Sequence, residues 1–131
     1  MRAFKLAFIA AVAAFLVACG GGNEPKSVAT DFEKALIAGD TKKLAPMLYM
    51  SEQERKEYGE FIEGKLLQMS AMVKSQVEKK GGLDKIEFVE EQITEDKATV
   101  VLKIHFKDGS NKDERVPLRK DEKGKWKVEL K

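Results

Sequence analysis

The chain has 131 residues, 43% hydrophobic and 35% charged, with 24 Lys plus Arg against 22 Asp plus Glu. Its length suits one ordinary domain and not two. A single cysteine rules out a disulfide scaffold, a single histidine rules out a multi-histidine metal centre, and the near-even charge argues against nucleic acid as a partner.

Arg2 and Lys5 precede a continuous apolar run from Leu6 to Val17, which ends in a small residue before Cys19. That is the layout of a secretory signal peptide. A membrane span needs about 18 to 20 apolar residues and this run has about a dozen. Leu16-Val17-Ala18-Cys19, followed by Gly20-Gly21-Gly22, resembles the site that lipoprotein signal peptidase recognises. The resemblance implies diacylglycerol on the Cys19 thiol, cleavage before Cys19 and, in many bacteria, a further amide-linked acyl chain such as palmitate. Two chains suffice for stable membrane attachment. A buried N-terminal helix with a free thiol and an ordinary cleaved signal are the alternatives. Residues 1–18 are thus expected as leader, 19–26 as acylated tether and 27–131 as the domain. Without Arg2 and Lys5 the basic excess vanishes, leaving 22 cations against 22 acids. Gly20 stands where, in enteric-type bacteria, an aspartate retains lipoproteins on the inner membrane, so the outer membrane is expected where the cell has one.

From Ser27, Val28, Phe32, Ala35 and Leu36 recur at helical spacing, with Pro25 in a first-turn position and Gly39 placed for a left-handed cap. Asp40 caps a second segment, Thr41 to Tyr49, where Pro46 leaves two readings: two short turns, or a helix starting near Ala45. Ser51 and Glu54 form a capping box that opens a long helix, whose apolar stripe is Tyr58, Phe61, Ile62, Met69, Met72, Val73 and Val77. It closes in Lys79-Lys80-Gly81-Gly82. An unbroken helix here would be about 42 Å long, long for one small domain, so a bend or break is expected at Gly59 and Gly64.

The period then changes to alternation. A first strand is expected from Lys85 to Ile93, with a bulge or burial on both faces because Ile86 and Phe88 oppose Val89 and Ile93. The second puts Ala98, Val100, Leu102, Ile104 and Phe106 on one face. Asp108-Gly109 turns into a third from Lys112 to Arg119, where Pro117 predicts a bulge or a stretch that outruns its neighbour. The fourth runs from Lys125 to Leu130, with Trp126, Val128 and Leu130 inward.

Helices followed by an antiparallel meander give an α+β plan, with N-terminal helices packed on a curved four-stranded antiparallel sheet. The chain resembles bacterial lipoproteins whose domain is nuclear transport factor 2-like, in the cystatin-like superfamily. The matching residues are Phe32-Glu33-Lys34-Ala35-Leu36 with Gly39-Asp40, Gly81-Gly82-Leu83, Ala98-Thr99-Val100, Asp108-Gly109 and Gly124-Lys125-Trp126-Lys127-Val128. The resemblance implies a cone that can enclose a pocket, in a superfamily of enzymes, small-molecule binders and dimerisation modules.

Catalysis lacks its usual groups. Any Ser-His-acid arrangement must use His105, and alternation puts it between Lys103 and Lys107, away from the apolar face. The resemblance points to Tyr49 and Tyr58 as polar-tipped residues near the pocket, with Met69, Met72 and Trp126 around them; plain core packing accounts for the same residues. No metal and no cofactor is expected: Asp108 to Asp113 has calcium-like oxygens, but its glycine is misplaced and no glutamate closes it. Lys103, His105, Lys107, Arg115, Arg119, Lys125 and Lys127 alternate outward on three strands and would form a surface for an anionic partner, although outward cations also keep sheets soluble. Leu67, half a turn off the main stripe, is a candidate partner contact. The sequence reading is a non-catalytic binding module, held on a membrane through lipid at Cys19, with an envelope protein or a second copy as partner. Ligand binding in the cone is the alternative, ahead of an enzyme.

Overall fold

The computed structural model describes residues 24–130. The leader and Cys19 lie outside the described residues.

Helix α1 spans Pro25–Ala38, with the proline in the first turn, where its missing N–H costs nothing. It ends because Gly39 takes φ 78°, letting the Gly39 N–H reach the Leu36 carbonyl at 3.3 Å and the Asp40 N–H reach that of Ala35 at 2.9 Å. Asp40 then caps α2, Thr41–Leu44, by accepting from the Lys43 N–H at 3.2 Å. A 3-10 turn, Ala45–Met47, takes up Pro46. Of the two readings of this segment, two short turns is the one formed.

Helix α3 spans Glu52–Lys79, and both bonds of the capping box form: Ser51 Oγ accepts from the Glu54 N–H at 3.1 Å, and Glu54 Oε1 from the Ser51 N–H at 2.9 Å. No break occurs at Gly59 or Gly64; the helix is continuous for 28 residues. It need not fit inside the core, because only Leu66, Ser70 and Val77 are buried and the first half runs along the outside.

Gly81 and Gly82, at φ 87° and 106°, reverse the chain into the sheet. Its strands are β1 Leu83–Thr94, β2 Lys97–Phe106, β3 Asn111–Lys120 and β4 Trp126–Val128, paired antiparallel in the order β1-β2-β3-β4. The β1 register slips between Phe88 and Glu90, the bulge its apolar pattern predicts. Pro117 sits opposite Thr99, and its carbonyl accepts from the Glu129 N–H at 2.9 Å. In a strand the N and C=O of one residue point the same way. Its missing donor therefore faces beyond the β3–β4 ladder, which begins at Leu118. Strand β4 is shorter than its alternation suggests, and Leu130, expected inward, is 43% exposed.

The core lies between α1 and the inner sheet face. Val28, Ala29, Phe32 and Leu36 bury against the layer of Val100, Leu102, Ile104, Val116, Leu118, Trp126 and Val128. Helix α3 packs chiefly on α1 and the α2 turn. Ser70 joins the two helices by donating to the Leu36 carbonyl at 2.8 Å.

Candidate functional site

One wide arc of α3 is apolar, and the fold covers only part of it. Leu66, Ser70 and Val77 face the core, with Ile62, Met69 and Val73 half-buried beside them. At 3.6 residues per turn, Tyr58, Phe61 and Met72 continue the same arc, which from Ser70 round to Phe61 is about half the circumference. Tyr58, Phe61 and Met72 are 52%, 62% and 64% exposed. Arg55 sets the opposite wall. Its guanidinium donates to the carbonyls of Ala45 at 2.8 Å and Leu48 at 2.6 Å, holding that segment against the first turn of α3. Leu48 bridges to Val128, and the Tyr49 N–H donates to the Val128 carbonyl at 2.8 Å. Tyr49, Met50 and Leu130 are thereby set beside the helix.

The result is a groove in two adjoining parts that share Phe61, Ile62 and Leu130. The larger, about 470 Å³, continues past Leu66, Met69 and Met72, with Lys65 and Gln68 at its rim. The smaller, about 260 Å³, continues past Leu48, Tyr49, Met50 and Tyr58, with Glu54 at its rim. The Lys65 ammonium lies 5.5 Å from the centre of the Phe61 ring. Of the five residues named for a pocket, Tyr49, Tyr58, Met69 and Met72 line this groove. Trp126 does not: it is buried in the core, with the Lys120 ammonium 5.3 Å from its ring centre. The groove lies outside the sheet–α1 core rather than within it. Leu66, Phe61 and Leu130 join those four as wall residues, and Arg55 holds the wall in place. Periodicity offers Phe61 and Leu66 as members of the wide arc, whereas Arg55 and Leu130 are set by tertiary contacts that local sequence does not carry.

Three of the outward basic residues meet acids. Lys103 Nζ stands 3.3 Å from Asp113, His105 Nε2 2.7 Å from Glu87, and Arg119 3.3 Å from Glu129. The hydrogen bond from His105 holds the Glu87 carboxyl below the usual range. Lys127 donates to the Pro46 carbonyl at 2.9 Å, and burial lowers its ammonium's pKa. Arg119 also stacks 5.4 Å from the Tyr49 ring centre. Lys107 is exposed in the turn after β2, Arg115 on β3 and Lys125 before β4. With Lys107 and Lys125 in the turns beside β2 and β4, and with acids standing against Lys103, His105 and Arg119, the seven residues do not form one unbroken basic field. Leu67 is 60% exposed on the far side of α3 from the groove.

One ionisable group stands apart from both features. Glu33 on α1 is only 7% exposed, and its pKa is raised to about 7, first by loss of water and then by Glu114, with Lys112 opposing. Among the described residues no cluster of three or more His, Cys, Asp or Glu is placed to hold a metal, and no helix is long and apolar enough to cross a membrane.

Helices laid on a four-stranded antiparallel meander, with a long helix flanking a groove, define an α+β domain of the nuclear transport factor 2-like kind. The chain belongs to the family described as Domain of unknown function (DUF4878), whose model matches residues 17–129. A crystal structure from Campylobacter jejuni, provisionally described as an NTF2-like transpeptidase, is similar at 30% identity and a TM-score of 0.74, covering 82% of this chain and 99% of that one. A SEC-C motif containing protein from Rhodopseudomonas palustris is similar at 13% identity and a TM-score of 0.47, covering 89% of this chain and 84% of that one. No curated protein sequence matches the chain.

Proposed function

We propose that this protein is a lipid-anchored envelope protein that acts as a non-catalytic interaction module, and that its contact face is the groove along α3. The observation that carries the reading is the groove itself. Tyr58, Phe61 and Met72 stand more than half exposed in a row beside Leu130, and contiguous exposed apolar surface of this kind marks interaction sites. Anchoring rests on Arg2, Lys5, the apolar run to Val17 and the Leu-Val-Ala-Cys order at Cys19. Labelling cells with an alkyne-bearing palmitate should mark the full chain and leave Cys19→Ala unmarked. Labelling of both alike would remove the anchor. A photo-crosslinking amino acid at Phe61 should give one defined adduct in intact envelopes; the same probe at Glu60, on another face, should not. Equal yields from the two positions would remove the groove from the reading.

A small apolar ligand in the groove is the second reading, favoured by the larger hollow. The Campylobacter jejuni relative is provisionally described as an NTF2-like transpeptidase, and transpeptidation needs an activated nucleophile. Here the single histidine is held by Glu87 on the outer sheet face and the single cysteine is Cys19. Ser70 spends its hydroxyl on the Leu36 carbonyl. These placements weigh against acyl transfer at the groove.

A further inference from the structure

We propose that the occupant of the α3 groove is a second copy of this chain, its own α3 lying antiparallel across the first. The inference rests on the groove being the contact face and names what fills it. Two observations carry it. The first is shape: ligand pockets bury most of a small molecule's surface, whereas Phe61 and Met72, 62% and 64% exposed, project outward. Projecting side chains suit the hollows of a facing surface better than the walls of an enclosure.

The second is charge. On the side of α3 that carries the groove, the first turns present Glu54, at the groove rim, and Glu57, four residues before Phe61, while Arg55 is spent on backbone carbonyls. Beyond Gly64 the sign on that side inverts, with Lys65 at the rim and Lys79 two turns past Met72. A parallel pairing would set acid against acid; an antiparallel one sets each acidic half on a basic half. When Phe61 lies opposite Met72 of the second copy, Glu54 falls opposite its Lys79 and Lys65 opposite its Gln68. Every pair occurs twice about a two-fold axis, the self-complementary geometry of closed dimers.

The test uses the full chain in its own membrane. One copy carries Phe61→Cys and a differently tagged copy Met72→Cys, and mild oxidation is expected to join them. The parent chain, with Cys19 alone, gives the background, and Leu67→Cys on the far side should stay at that background. Charge then decides the register. Adding Glu54→Lys to both copies, or Lys79→Glu to both, should cost most of the adduct. Placing Glu54→Lys in one copy and Lys79→Glu in the other restores opposite charges at both contacts and should restore it. That recovery also shows that both variants fold. Absence of the adduct, with Phe61 still giving a single adduct to another protein or the groove still binding an apolar dye, overturns the second copy and leaves the groove as a contact face. Absence of the adduct with neither of these overturns both. An adduct indifferent to every charge change overturns the antiparallel register.

Discussion

Glu33 is a costly residue where it stands. It sits four residues after Ala29 and three before Leu36, on the face α1 buries, and Glu114 and Lys112 are the charged groups that act on it from β3. Burial penalises its charged form, so its folded pKa, about 7, lies above the 4.5 of the free side chain. The folded state therefore binds the proton more tightly than the unfolded one. Its favourable contribution is complete below pH 4.5 and is lost as pH rises through about 7. A gap of this size corresponds to at most about 3 kcal/mol. The urea midpoint should fall as pH is raised from 4.5 to 8, and Glu33→Gln should flatten that fall and be the more stable chain at pH 8. A Glu33→Gln profile parallel to that of the parent would place the titration elsewhere. The spacing to Ala29 and Leu36 is a signal the sequence does contain. It is masked because a glutamate in an amphipathic helix is ordinarily read as solvent-facing.

At the scale of the element, α3 separates what local sequence states from what it leaves open. Its start is written in Ser51 and Glu54, and the stop of α1 in Gly39, because caps are made by residues within three to five positions of each other. The bulge in β1 was likewise visible in its two-sided apolar pattern. Whether α3 should break was not visible, since that depends on whether the helix runs through the core or past it. Nor could the periodicity say which part of a half-circumference apolar arc would be covered: α1, at 14 residues, is half the length of α3 and covers only part of it. Leu130 and Arg55 took their places through contacts formed only in the folded chain. The unbroken helix makes its glycines a sharp test. Nothing lies within 4 Å of where a Cβ would stand at Gly59 or Gly64. Gly59→Ala and Gly64→Ala should therefore each stabilise the protein by about 0.5 to 1 kcal/mol, the helix-interior difference between the two residues. Gly39→Ala should destabilise it, because φ 78° disfavours a Cβ and that atom would meet Ser70 Oγ at 3.4 Å. Urea melts of the three variants give the signs, and a loss of stability at Gly59 or Gly64 would mean the helix needs a hinge there.

The molecule as a whole is a well-packed sheet–α1 unit with a long helix held mainly at one end. Leu66, Ser70 and Val77 anchor the second half of α3, while the first half relies on its cap and on the Arg55 clamp. Local opening is cheapest where buried apolar contact is least. Backbone amides of residues 56–63 should thus exchange hydrogen faster than those of 66–77, and faster still than those of Val100, Leu102 and Ile104 at the centre of β2. The face exposed along that weaker half, at Tyr58 and Phe61, is also the face argued to receive a second copy. Pairing would remove the opening that fast exchange requires, so protection of residues 56–63 should rise with protein concentration while β2 stays unchanged. Lys79→Glu in every copy, which leaves the cap intact, should abolish that concentration dependence, since it sets glutamate against Glu54 at both contacts. Protection that is uniform along α3 at every concentration would mean that the fold alone secures the first half, leaving the exposed apolar row without the ordering partner that its chemistry implies.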